Sequence, residues 1–243
     1  MRALITASLL LLSAAAFGQP AAAANPLQNA VAQGATSMAW RIQTEGVYIC
    51  CCNENDSITI NHGDRNRIEY DNIILVARME EGRIARLRMV EPNCPLANTR
   101  LIENVSADAS LDFLLSHVRN DERVVAGIAM HDHPRVVPEL IKLARNHASA
   151  KVRQDAIFWL GQRAGEKAAG ELRRAVDEDP EDDVRERAVF AISQLPADRS
   201  VPILIDLVKH HRRPKVRERA MFWLAQTGDP RALDLIEEIL GLR

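Results

Sequence analysis

The sequence predicts an α+β protein in which a small β-rich domain precedes a C-terminal all-α solenoid of about four helical hairpins. Two observations carry this reading. A twelve-residue phrase recurs at a period of 32 residues, as Lys151-Val-Arg-Gln-Asp-Ala-Ile-Phe-Trp-Leu-Gly-Gln162, Asp183-Val-Arg-Glu-Arg-Ala-Val-Phe-Ala-Ile-Ser-Gln194 and Lys215-Val-Arg-Glu-Arg-Ala-Met-Phe-Trp-Leu-Ala-Gln226. A unit of this length cannot bury its own apolar face, so copies must stack on a shared core. Before about residue 118 the repeat is absent, and apolar residues alternate with polar ones at the period of a half-buried strand.

Residues 1–24 read as a signal peptide: Met1-Arg2, an apolar run from Ala3 to Ala16, and small residues that fit cleavage after Gly18 or after Ala24. The run falls short of the ~20 residues of a spanning helix. No cysteine follows it closely enough to accept a lipid, so the expectation is an exported protein without membrane insertion after signal cleavage. Export places it where disulfides persist.

Residues 25–118 form the expected β-rich domain. Its clearest piece is a hairpin, with Ile73, Leu75, Ala77 and Met79 facing Ala85, Leu87 and Met89 on a core side, while Arg78, Arg86 and Arg88 take the other. Glu80-Glu81-Gly82 supplies the turn, and Gly82 is free to take positive φ. Shorter strands are expected at Met38–Ile42, Val47–Cys50 and Ser57–Ile60, giving a sheet of four or five strands.

The solenoid is expected over residues 119–243. In each unit the phrase is a first helix, a break follows at Gly165, Pro196 or Gly228-Asp229-Pro230, and a second helix closes the hairpin. Val152, Ala156 and Leu160 sit at i, i+4 and i+8 as one apolar stripe, and Leu172, Leu204 and Ile236 keep register on the second helices. Stepping back 32 residues lands on Val124, Ile128, Leu140, Leu143 and Ala144, a degenerate fourth copy at about 120–151.

The V-R-x-x-A-φ-F-W-L wording in a short helical hairpin resembles HEAT repeats, particularly the short variety named after phycobilisome bilin lyases. With Cys50-Cys51-Cys52, the hairpin and Glu91-Pro-Asn-Cys-Pro-Leu96, the chain is also similar to exported bacterial HEAT-repeat proteins. The resemblance implies a binding surface in a bacterial periplasm or outside the cell. It transfers no catalytic residue and no cofactor.

Cys50, Cys51, Cys52 and Cys94 are the most unusual residues, and in an exported chain an even count points to disulfides, with three possible pairings. Consecutive cysteines lack the spacing by which zinc motifs converge on one ion, so no metal site is predicted. His131-Asp-His133 falls in an inter-helix turn and His210-His211 in a linker, where polar residues are expected without a metal. The linker Asp177–Asp183 is acidic and its counterpart Lys209–Lys215 basic, which makes Asp179, Asp182, Lys209, Arg212 and Arg213 candidates for a charged docking edge. Phe158, Phe190 and Phe222 recur away from the core stripe, as an inter-repeat ladder or, if exposed, as partner-binding residues. Arg153, Arg185 and Arg217 read as a structural ladder, with Asp155, Asp183 and Glu186 as expected partners.

The net charge of −2 offers no case for nucleic acid, and familiar catalytic signatures are absent. The expected function is therefore an exported, non-enzymatic scaffold or adaptor that binds a protein partner through the solenoid. The alternative is a thiol redox or metal-handling protein using the cysteine cluster, and a bilin-lyase-like activity stands further off, because export removes its substrate.

Overall fold

The computed structural model describes residues 25–47, 70–119, 122–163 and 165–241. The expected signal peptide, Cys50–Cys52 and the strands at 48–50 and 57–60 lie outside them.

A short helix α1 (Pro26–Ala32) leads into strand β1 (Ser37–Val47), followed by β2 (Tyr70–Glu80), β3 (Arg83–Val90) and β4 (Arg100–Leu101). The sheet order is β3-β2-β1-β4, with β1–β2 and β2–β3 antiparallel and the two-residue β4 parallel to β1. Glu81 (φ 50°) and Gly82 (φ 71°) close the β2–β3 hairpin with both central residues left-handed, the turn whose twist matches the strands. The hairpin departs from simple alternation at one place. Arg78 pairs Arg86 but Met79 pairs Ile84, so a bulge ejects Ala85, which is exposed, and Ile84 takes its expected place beside Met79.

One sheet face carries Met38, Trp40, Ile42, Ile73, Leu75, Leu87 and Met89 into the main core. The other buries a smaller group, Ala39, Ile74 and Val90, beneath Cys94 and partly buried Leu96. Eight helices cross after α2 (Ala107–Ser116), in four hairpins: α3 (Glu122–Ala129) with α4 (Val136–Asn146), α5 (Ala150–Arg163) with α6 (Gly165–Glu178), α7 (Asp182–Ser193) with α8 (Ala197–His210), and α9 (Pro214–Gln226) with α10 (Pro230–Leu240). The degenerate first copy is thus a real hairpin, and Val124, Ile128, Leu140 and Ala144 are all buried in it.

The stripe expected on the first helices is the solenoid core. Val152, Ala156 and Leu160, then Val184, Ala188 and Ile192, and then Ala220 and Leu224 are fully buried, and Val216 nearly so. The small alanines let successive first helices approach, and at Gly161 an added Cβ would lie 3.1 Å from the Cβ of Ala191 on α7. Each hairpin stops for a local reason. At the last, Gly228 takes φ 65°, Asp229 caps α10 by accepting the Arg231 N–H, and Pro230 occupies a first-turn position whose N–H would be unused.

Sheet and solenoid share one core that runs without a break from Leu27 to Leu235. The junction is also hydrogen-bonded: the Asp132 N–H, in the α3–α4 turn, donates to the Gln43 carbonyl of β1 at 2.9 Å. A Cβ on Gly127 of α3 would come within 2.7 Å of the Leu87 side chain of β3, which shows how closely the first hairpin lies on the sheet.

Candidate functional site

The hairpins form two layers, first helices (α3, α5, α7, α9) and second helices (α4, α6, α8, α10), and the layers differ in chemistry. Second helices are joined by ion pairs between repeats. Arg145 of α4 forks onto Glu171 of α6, Arg173 of α6 bonds Asp206 of α8 at 2.5 Å, and Lys209 of α8 bonds Glu238 of α10 at 2.9 Å. These pairs are matched within the chain. Bonds from Arg145 and then Arg174 hold the Glu171 carboxyl below the usual carboxylate range, outweighing the opposing effect of burial.

First helices carry rings instead. Phe158 of α5 stacks on Phe190 of α7 with centroids 6.4 Å apart and planes 3° from parallel, and Phe190 meets Trp223 of α9 at 4.9 Å. Trp159 and Phe222 add edge contacts to their neighbours. The rings bridge repeats, as an inter-repeat ladder does, yet Phe158 and Phe190 are only half-buried and Phe222 is 48% exposed. Phenylalanine sits here because the register that buries positions 156 and 160 turns position 158 away from the core.

A groove of about 430 Å³ runs over this ladder, lined by Gln154 of α5, Asp183, Glu186, Arg187 and Phe190 of α7, and Arg219 and Trp223 of α9. Glu186 is held by Lys215 at 2.9 Å and by Arg219 at 3.0 and 2.5 Å. Burial works to raise its pKa, but these two cations prevail and the carboxyl stays charged and depressed. Arg187 lies over two rings, its guanidinium carbon 5.4 Å from the Phe158 centroid and 5.9 Å from that of Phe190. Trp223 recurs beside Phe222 in the sequence, as Trp159 does beside Phe158, but Arg187 does not stand out there. The signal was the second arginine of the Arg-Glu-Arg wording, three residues before each later phenylalanine and hence one turn away.

The arginine ladder is structural, but its partners differ from those expected. Arg153 grips Asp179 through two bonds of 2.8 and 3.0 Å and caps the His147 and Ala148 carbonyls. Arg185 pairs with Asp182 and the Asp179 carbonyl, and Arg217 bonds the His211 and Arg212 carbonyls. Each guanidinium thus ties the linker six residues behind it, which positions 155, 183 and 186, on the helices themselves, do not reach. Asp155 instead accepts from Lys151 at 3.2 Å.

Those bonds also correct part of the docking edge. Asp179 is no surface acid: its side chain is 6% exposed and spent on Arg153, while Asp182 is committed to Arg185 and Lys209 to Glu238. Arg213 remains exposed, and exposed Arg212 reaches only the Asp177 carbonyl at 3.2 Å. The acidic and basic linkers do lie side by side. His211 is buried between them, its Nδ1 accepting from the Arg213 N–H and its Nε2 3.4 Å from Asp177.

His131 is also buried, 1% exposed, rather than a solvated turn residue. The Trp40 indole N–H donates to Ser110 Oγ at 2.7 Å, Ser110 donates to His131 Nε2 at 2.8 Å, and Nδ1–H donates to the Gly127 carbonyl at 2.8 Å. Burial pushes the imidazole down to about 4, so it is neutral and structural. His133 faces Asp108 at 3.9 Å instead, and no group of three or more metal-ligating side chains occurs among the described residues. Cys94 is 8% exposed in the smaller apolar cluster, and no described cysteine is free. A second cleft of about 410 Å³ lies against the middle of β1, between Arg41–Gln43 and Leu101–Val105.

No curated protein matches the chain. Twenty solved chains do, among them one from the complex of CpcE and CpcF of phycocyanin lyase from Nostoc sp. PCC7120, 15% identical over 55% of this chain and 90% of that one, with a TM-score of 0.43. The family model described as HEAT repeats matches in three overlapping segments, 111–193, 137–210 and 172–242, more than half of the sequence, and the chain belongs to the HEAT-repeat family.

Proposed function

We propose that the chain is an exported, non-enzymatic interaction protein whose first-helix layer holds a protein partner. HEAT repeats point to a protein-interaction solenoid, and the observation that selects the face is the aromatic ladder Phe158–Phe190–Trp223, bridging three repeats beneath an open groove. Rings that keep apolar surface at the solvent are characteristic anchors of protein interfaces. The second-helix layer satisfies its charges internally and has less to offer.

Export rests on the apolar N-terminal run, and no described helix is long and apolar enough to cross a membrane. That no described cysteine is free favours a disulfide between Cys94 and the Cys50–Cys52 cluster over a thiol redox or metal-handling role.

A photo-reactive phenylalanine analogue at Phe222, with Ile239 of α10 as the second-layer control, tests the choice of face, since both side chains are exposed. The expected result is a discrete protein adduct from position 222 in cells that is lost in the Phe190→Ala/Trp223→Ala variant. Adducts from position 239 alone would move the partner to the other layer and overturn the assignment.

A further inference from the structure

The repeat supplies its own carboxylate to one groove arginine and withholds it from the other. Arg187 and Arg219 are equivalent, 32 residues apart. Arg219 takes a carboxylate from the preceding repeat, that of Glu186, through Nε at 3.0 Å and Nη2 at 2.5 Å. The residue that stands to Arg187 as Glu186 stands to Arg219 is Gln154, which is neutral. Arg187 forms no ion pair among the described residues and rests over the Phe158 and Phe190 rings, where cation–π attraction holds it at the groove wall.

From this geometry we infer that Arg187 receives a carboxylate from the protein partner, in the place a glutamate at position 154 would fill. The occupant is an acidic segment that lays an apolar side chain against Phe190 and Trp223 and directs a neighbouring Glu or Asp onto Arg187. The charge balance agrees. The acids lining the groove are Asp183 and Glu186; Glu186 already carries two cations, and Asp183, four residues before Arg187 on α7, forms no ion pair with it, so the lining together with Lys215 holds one positive charge in excess. A guanidinium can present two N–H groups to a carboxylate, and Arg219, whose Nε and Nη2 both bond Oε2 of Glu186, shows that the groove admits a guanidinium–carboxylate contact. The inference rests on the proposed binding role of the first-helix layer and adds the chemistry of what it binds.

Two peptides test it on the full chain, acetyl-Glu-Leu-Glu-Leu-Glu-amide and its Gln-for-Glu counterpart, titrated while following the Trp223 indole signal by NMR. The acidic peptide is expected to bind up to about five-fold more tightly, the scale of one exposed ion pair. Gln154→Glu should abolish that preference by supplying the carboxylate internally, Arg187→Gln should abolish it by removing the receptor, and Gln154→Ala should leave it. Equal affinity for the two peptides, binding of neither, or a preference that survives Gln154→Glu would overturn the inference. A Phe222 adduct formed in cells despite that failure would leave the binding face standing and sink only the carboxylate.

Discussion

At the scale of single residues, two buried polar groups stabilise the fold, and one of them also makes stability depend on pH. Arg153 is 7% exposed and makes a two-bond pair with Asp179 as well as capping two carbonyls. Removing one partner leaves the other charge buried without compensation, so Arg153→Ala should cost about 3–5 kcal/mol in urea unfolding. Arg217→Ala should cost less, because Arg217 is only half-buried and bonds carbonyls. His131 makes stability depend on pH. Its folded pKa of about 4 lies below the ordinary 6.5, so the unfolded chain binds more protons between those values. The contribution is complete above about pH 6.5 and falls as pH drops towards 4, by roughly 3 kcal/mol in all. A urea series across that window should show the slope, and His131→Phe should flatten it even though that variant starts less stable.

At the scale of elements, the two glycines of the second hairpin, α5–α6, predict opposite effects. Gly161 lies where α5 meets α7, and a side chain there meets the Ala191 Cβ at 3.1 Å and its carbonyl oxygen at 3.4 Å. Gly161→Val should therefore force the helices apart and destabilise by about 1–3 kcal/mol. Gly170 sits inside α6 with nothing within 4 Å of an added Cβ and without positive φ. Gly170→Ala should stabilise by about 0.5–1 kcal/mol through the entropy of the unfolded chain. Thermal unfolding of the two variants beside the parent checks both signs at once.

At the scale of the molecule, cohesion should fall from the sheet towards the last hairpin. The first hairpin shares its core with β1, β2 and β3, whereas the described side chains of α10 bury only Ala232 and Leu235 and leave Leu233 and Ile239 more than half exposed. A stack of repeats is stabilised by nearest neighbours, so local opening should begin in α9–α10. Native-state hydrogen exchange should find the slowest amides in β2, α3 and α5 and the fastest helical ones in α10; uniform protection would show instead that the stack opens only as a whole.

The 32-residue period was enough to determine the solenoid, its four hairpins, the buried Val/Ala/Leu stripe and the breaks at Pro196 and Pro230, because these follow from a local repeat of polar and apolar residues along a helix. Strand alternation likewise marked the β2–β3 hairpin and Gly82 its turn, whereas the positive φ of Glu81 was not legible in the residue type. Tertiary structure decided whatever depends on which repeats become neighbours. The Ala85 bulge is invisible to a strict two-residue alternation. Asp179 looked like surface charge until its neighbour Arg153 buried it, and His131 does lie in the α3–α4 turn, but only Ser110 and Trp40 beside it make it a buried residue. Arg187 is an ordinary helix-surface arginine in sequence; only the stacking of α5 on α7 sets it over two rings and opposite a glutamine. Periodicity reports the surface a helix offers, and the partner of each side chain across a repeat boundary is a property of the assembled stack.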